Sequence, residues 1–183
     1  MMVVFVGEGP DERETLLTFV AEQRAALRRA ALGLTEEQLR ATPTASALSI
    51  GGLLKHNVDV ERYWTVGVLD GRLPDVLPRE SAHRPEAHRL ADDETGAGVL
   101  AAYEAVARET ERIVRALPGL EVAVTLPDRP WYPPGTTRTA RWILLHLVQE
   151  AARHAGHADI VRETLDGKGS FELIAEETAA ERG

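Results

Sequence analysis

Apolar residues recur at the three-to-four-residue spacing of a helix face over long stretches of this chain. Leu16, Val20, Leu27, Ala31 and Leu34 mark the first, predicting a helix over residues 11–32. Asp11 caps it, Glu12 and Glu14 make its first turn acidic, and Gly33 ends it. Thr35-Glu36-Glu37-Gln38 is a capping box that starts a short helix to Ala41, closed by Pro43. A second long helix, over 50–69, carries the stripe Leu53, His56, Val60, Tyr63 or Trp64, then Gly67. Ser46 or Ser49 caps it and Asp70-Gly71 terminates it. The third, over 94–117, has Asp92 or Asp93 as its cap and the stripe Val99, Tyr103, Val106, Thr110, Ile113 and Leu117, with Pro118-Gly119 as its stop. The fourth, over 138–165, is capped by Thr137 or Thr139 and ends at Asp166-Gly167.

The connecting stretches are shorter or more polar. Residues 1–10 read as an extended lead-in, and 121–126 alternates weakly enough for a short strand. Trp131-Tyr132-Pro133-Pro134 makes a stiff aromatic loop before the fourth helix, and a short helix can start near Phe171. Residues 72–94, with Pro74, Pro78 and Pro85, form a long polar connector with room for one short helical turn. His83 and His88 lie there and are expected at the surface. The pattern predicts an all-α fold: one domain over 1–183, a four-helix bundle with a long crossover between helices 2 and 3.

Composition narrows the partners. A chain of 183 residues with 44% hydrophobic and 27% charged residues is long enough to bury a full core. Its net charge of −8 argues against a nucleic-acid backbone or an anionic membrane as partner. Val3 to Val6 is too short for a secretory signal, and no apolar run reaches the roughly 20 residues of a membrane span. A cytoplasmic protein is expected. Cysteine is absent, which excludes disulfides, thiolate ligands and a cysteine nucleophile.

The chemistry concentrates in Trp142 to Val161. His146, Glu150, His154 and His157 fall within an arc of about 80° on that helix. Ile143, Leu147 and Val161 share the face, so it turns toward a core. Ionisable groups buried there need a partner, and a divalent metal suits this set of side chains. Glu150-x-x-x-His154 offers two donors from one helix. His56, in the core stripe of the second helix, is the one histidine outside the fourth helix placed to complete a triad. Three protein ligands with an open position is the arrangement of a catalytic zinc-type site. The competing reading is a hydrogen-bonded polar cluster with no metal. His157 could be a fourth ligand, a hydrogen-bond partner of a ligand, or a proton carrier, the last two being favoured. His146 is expected to hydrogen-bond near the bundle end, and Trp64, Trp131 and Trp142 to line core or pocket. A di-iron centre would need a second Glu/His motif, which this chain lacks. Gly51-Gly52 makes no phosphate loop, and no serine sits in a nucleophile elbow.

His56 with the residues to Trp64, the aromatic loop, and Arg141-Trp142 through His157 together resemble the DinB-like metal-binding superfamily. With glutamate between the histidines, the motif is most similar to the N-terminal domain of mycothiol-dependent maleylpyruvate isomerases. The resemblance implies a bundle that is often dimeric, with a metal on His56, Glu150 and His154. Zinc is the expected metal, with nickel, manganese or iron also suited to these donors. It further implies a small-molecule thiol of the mycothiol type and an electrophilic partner substrate, in S-transfer or isomerisation. The isomerase has a separate C-terminal domain for which this sequence leaves no room, which favours transfer. Arg138 and Arg141 could hold a carboxylate of thiol or substrate, or simply be solvated. The preference for Arg over Lys looks like an actinobacterial coding bias, the setting in which mycothiol is made. Two alternatives use the same residues: a metal-water hydrolase, or a non-catalytic, stress-associated metal-binding bundle acting through protein partners.

Overall fold

A computed structural model describes residues 6–73, 88–130, 132–180 and 182. The chain is all-α apart from a two-stranded ribbon, in the order α1 (Glu12–Ala30), α2 (Glu36–Arg40), α3 (Ile50–Arg62), α4 (Gly96–Ala116), β1 (Ala123–Thr125), β2 (Thr137–Thr139), α5 (Ala140–Asp166) and α6 (Ser170–Ala180). Most of the predicted crossover, with Pro74, His83 and Pro85, lies outside the described residues, as does Trp131.

The helix ends follow capping chemistry. Asp11, Thr35, Ser49 and Thr139 each accept a backbone N–H from the first turn of their helix, and Thr35 with Gln38 completes the capping box. The third long helix departs from expectation. Its cap is Thr95, which accepts from Gly98 N at 3.1 Å, while Asp92 and Asp93 stay in the turn before it. Glu94 is turned away from the helix, its Oε2 accepting from Lys55 Nζ at 2.7 Å and from Ala91 N at 2.6 Å. At its other end α1 stops at Ala30, where Ala31 and Leu32 bond back three residues and Gly33 adopts φ +71.

The second long helix reaches Leu69 as predicted, but its last seven residues, Tyr63–Leu69, wind as a π-helix with every residue buried. The wider turn lets Tyr63 and Trp64 both face inward, where the α-helical stripe allowed one of them. The expected strand appears as β1, paired antiparallel with β2 in the register Ala123↔Thr139. This ribbon leads straight into α5.

α1 runs alongside α5 in the same direction. Arg141 near the start of α5 bonds Glu12 near the start of α1, and buried Arg162 toward the end of α5 donates to the carbonyls of Ala30 and Leu32. α3 packs on α4 and on α5. Leu27, Ile50, Leu53, Leu54 and Val106 fill one part of the core, and Trp64, Val114, Ile143 and Leu144 another. Each such fully buried aliphatic side chain contributes about 1.5–3 kcal/mol. Among the described residues no helix is long and apolar enough to cross a membrane.

Candidate metal centre

His154 and Glu150 stand one turn apart on α5, and His56 enters from α3. Both imidazoles are nearly buried, His56 at 8% and His154 at 9% exposure. One donor atom from each of the three residues lies within 4.8 Å of the others. The His56 and His154 rings meet edge-on with centroids 4.8 Å apart. His154 Nε2 is 3.5 Å from Glu150 Oε2, and His146 Nε2 is 3.9 Å from the other carboxylate oxygen. That hydrogen bond from His154, with the nearby charges of His146, His154 and His56, holds the Glu150 carboxyl down at about 2 although burial opposes it. Glu150 therefore presents an anionic oxygen at neutral pH.

The donor set fits a divalent metal. Two imidazoles and a carboxylate converge from two helices, and three protein donors leave coordination positions for a small molecule. His154 Nδ1 is buried and has no hydrogen-bond partner among the described residues. A purely structural histidine at this depth usually satisfies both ring nitrogens.

The surroundings separate the remaining residues. His157 lies one turn beyond His154, ring centroids 5.8 Å apart, with its own Nδ1 buried and unpartnered among the described residues. His146 is stacked on Trp142 at 5.0 Å and meets Trp64 edge-on at 4.9 Å, so an aromatic wall closes the side toward the start of α5. The Arg138 guanidinium lies over the Trp142 ring, 4.8 Å from its centroid. Arg141 bonds Glu12 at 2.6 and 3.0 Å and Glu121 at 2.7 Å.

His88 overturns the expectation of a surface histidine. It is half-buried, stacks on His56 with centroids 4.2 Å apart, and lies 6.2 Å from the His154 ring. Helix periodicity gave no hint of it, because His88 belongs to the end of the crossover. The available signal was Gly51-Gly52, two glycines inside a helix, each costing about 1 kcal/mol relative to alanine. A Cβ on Gly52 would stand 1.7 Å from His88 O, and one on Gly51 would stand 2.6 Å from Leu90 Cδ1. The glycines let the returning chain lie directly on α3, one turn before His56.

A second polar group lies behind the centre. Buried Arg24 of α1 donates through Nε and Nη2 to both oxygens of buried Glu61, at 2.9 and 2.6 Å. Thr110 of α4 donates to Glu61 Oε1 at 2.6 Å and shares a hydrogen bond with Thr65. Glu61 is only 3% exposed. Arg24, at 5% exposure, supplies the opposite charge that makes this burial tolerable.

Comparison with known proteins agrees with this architecture. The sequence profile of the family described as Mycothiol-S-transferase matches residues 15–167. That span runs from within α1 to the end of α5 and holds all three donor residues. No curated protein sequence matches the chain. Among solved structures, the chain is similar to the conserved protein of locus from Enterococcus faecalis, at 15% identity and a TM-score of 0.62, over 87% of this chain and 100% of that one. At that identity the likeness is one of fold.

Proposed function

The chain belongs to the mycothiol-S-transferase family, a DinB-like family, and from that premise we propose that it is a divalent-metal-dependent thiol transferase working with a low-molecular-weight thiol of the mycothiol type. The observation that carries this reading is the convergence of His56, Glu150 and His154 in a chain that has no cysteine. A transferase without cysteine must draw its sulfur nucleophile from a second molecule. His56, Glu150 and His154 would hold the metal, zinc being the ion best suited to two imidazoles and a carboxylate. A bound divalent metal supplies the positive charge that makes a thiol ionise near neutral pH.

The chain's own residues then bind, orient and move a proton. Glu150, held ionised, fixes one negative charge at the centre. We assign His157, one turn beyond His154, to take the proton that the thiol loses. In the transfer, an S–C bond forms at the electrophile's carbon and the leaving group departs with its bonding pair. Trp142 and His146 screen one side of the site from water. Of the two arginines, Arg138 is the better placed to receive a carboxylate of the thiol or the substrate, since Arg141 already holds two. The test is elemental analysis of protein purified without chelators, followed by an electrophile assay with and without mycothiol. About one metal per chain, lost in His154→Ala, and turnover only with thiol are expected. Turnover without thiol would point to metal-water hydrolysis, and no metal uptake at all would overturn the enzyme reading.

A further inference from the structure

Beside Glu150 lies a small cavity of about 10 Å³, room for a single water. Its polar lining is Glu150 from α5, Asn57 and Glu61 from α3, Tyr103 from α4 and Arg24 from α1. Val20, Val60 and Leu147 make up much of the remainder. Tyr103 is 2% exposed. It lines this cavity, and no hydrogen bond joins its hydroxyl to another described residue. Asn57 spends its amide on Leu53 O at 2.8 Å, which leaves its carbonyl oxygen for another donor.

A phenol on so deeply placed a residue is usually hydrogen-bonded, to protein or to water. The groups facing the cavity are complementary to one water. The phenol is a donor, and the carboxylates of Glu150 and Glu61 and the carbonyl of Asn57 are acceptors. A water there accepts from Tyr103 and donates to two of these, meeting the two to four polar contacts that buried waters need. We propose that an ordered water in this cavity bridges the Tyr103 hydroxyl to Glu150, making Tyr103 a positioning residue for the metal-facing carboxylate. The Arg24–Glu61 pair fixes the far side of the bridge. Burial and the adjacent Glu61 charge push the Tyr103 phenol up, so it stays protonated and able to donate throughout the physiological range.

The coupling to metal rests on the reading of Glu150 as a ligand, while the bridge itself does not. Tyr103→Phe removes one oxygen and keeps the ring, so the fold should hold. The first readout is a crystal structure of the wild type at a resolution that shows waters, where density is expected within hydrogen-bond distance of Tyr103 Oη and a Glu150 oxygen. The second is zinc affinity by competition with a chelator, in which Tyr103→Phe should bind about tenfold more weakly than wild type. The metal-free variant should keep the wild-type circular dichroism spectrum. An empty cavity, or a water out of reach of Glu150, overturns the proposal. So does unchanged zinc affinity in Tyr103→Phe. A wild type that shows the bridging water yet takes up no zinc supports the bridge and overturns the metal reading instead.

Discussion

The carbonyl oxygen of His88 rests against Gly52, so close that a Cβ there would approach it to 1.7 Å. Because residue 52 lies one helical turn before His56, this contact sets the returning crossover where the His88 ring can stack on His56 at 4.2 Å. The added atom in Gly52→Ala would meet backbone, which no rotamer change can clear. The gain in helix propensity, about 1 kcal/mol, is outweighed by that displacement. The variant is expected to be less stable by about 1–3 kcal/mol in urea unfolding, and to bind metal more weakly because His88 leaves His56. Stability equal to or above wild type would mean that the crossover does not depend on this contact.

His88→Ala separates the stack from the crossing. His88 lies outside the group of three residues whose donor atoms converge, so the variant should still take up about one metal per chain. Its affinity should fall by a factor of several, since the His56 ring loses the neighbour that fixes its plane. Elemental analysis gives the first quantity and chelator competition the second. Complete loss of metal would make His88 a ligand in its own right.

The uneven legibility of these features has a physical basis. Helices and inward stripes follow from local periodicity, so α1, α3, α4 and α5 and the inward register of His56, Glu150 and His154 could be read from spacing alone. The cap of α5 and its end at Gly167, φ +79, were equally local. His88 could not be read that way, because a tertiary crossing at Gly52 decides where it lies. The π winding at Tyr63–Leu69 is likewise a packing outcome: two adjacent large aromatics are accommodated on one buried side. Thr95 displaced Asp92 and Asp93 as a cap because Glu94 is bound to Lys55 on another helix. Nothing in the local pattern around Arg24 marks it as buried, and only its pairing with Glu61 shows why either charge can be inside.

That pair makes a sharp prediction. Arg24 and Glu61 side chains are 6% and 5% exposed and 2.6 Å apart. Arg24→Ala would leave a buried carboxylate held by Thr110 alone, and a loss of about 3–5 kcal/mol in urea unfolding is expected. Replacing both residues together, Arg24→Met with Glu61→Leu, removes both desolvation costs and should recover most of that loss. A double variant no better than the single would show that the charges contribute more than they cost to bury.

The titration of Glu150 gives a test that needs no metal. Its folded pKa of about 2 lies below the ordinary 4.5, chiefly through the hydrogen bond from His154. A depressed folded value means that the unfolded chain takes up the proton first as pH falls. The stabilisation is therefore complete above about 4.5 and is lost progressively toward 2. In metal-free protein, the difference in unfolding free energy between wild type and Glu150→Gln should shrink between about pH 5 and pH 3. His146 and His154 flank the carboxylate on both sides, so replacing either should raise its pKa and move that loss to higher pH. Urea unfolding across this range checks both expectations. A difference that is flat or grows toward acid would mean that the histidines do not lower the carboxyl's pKa.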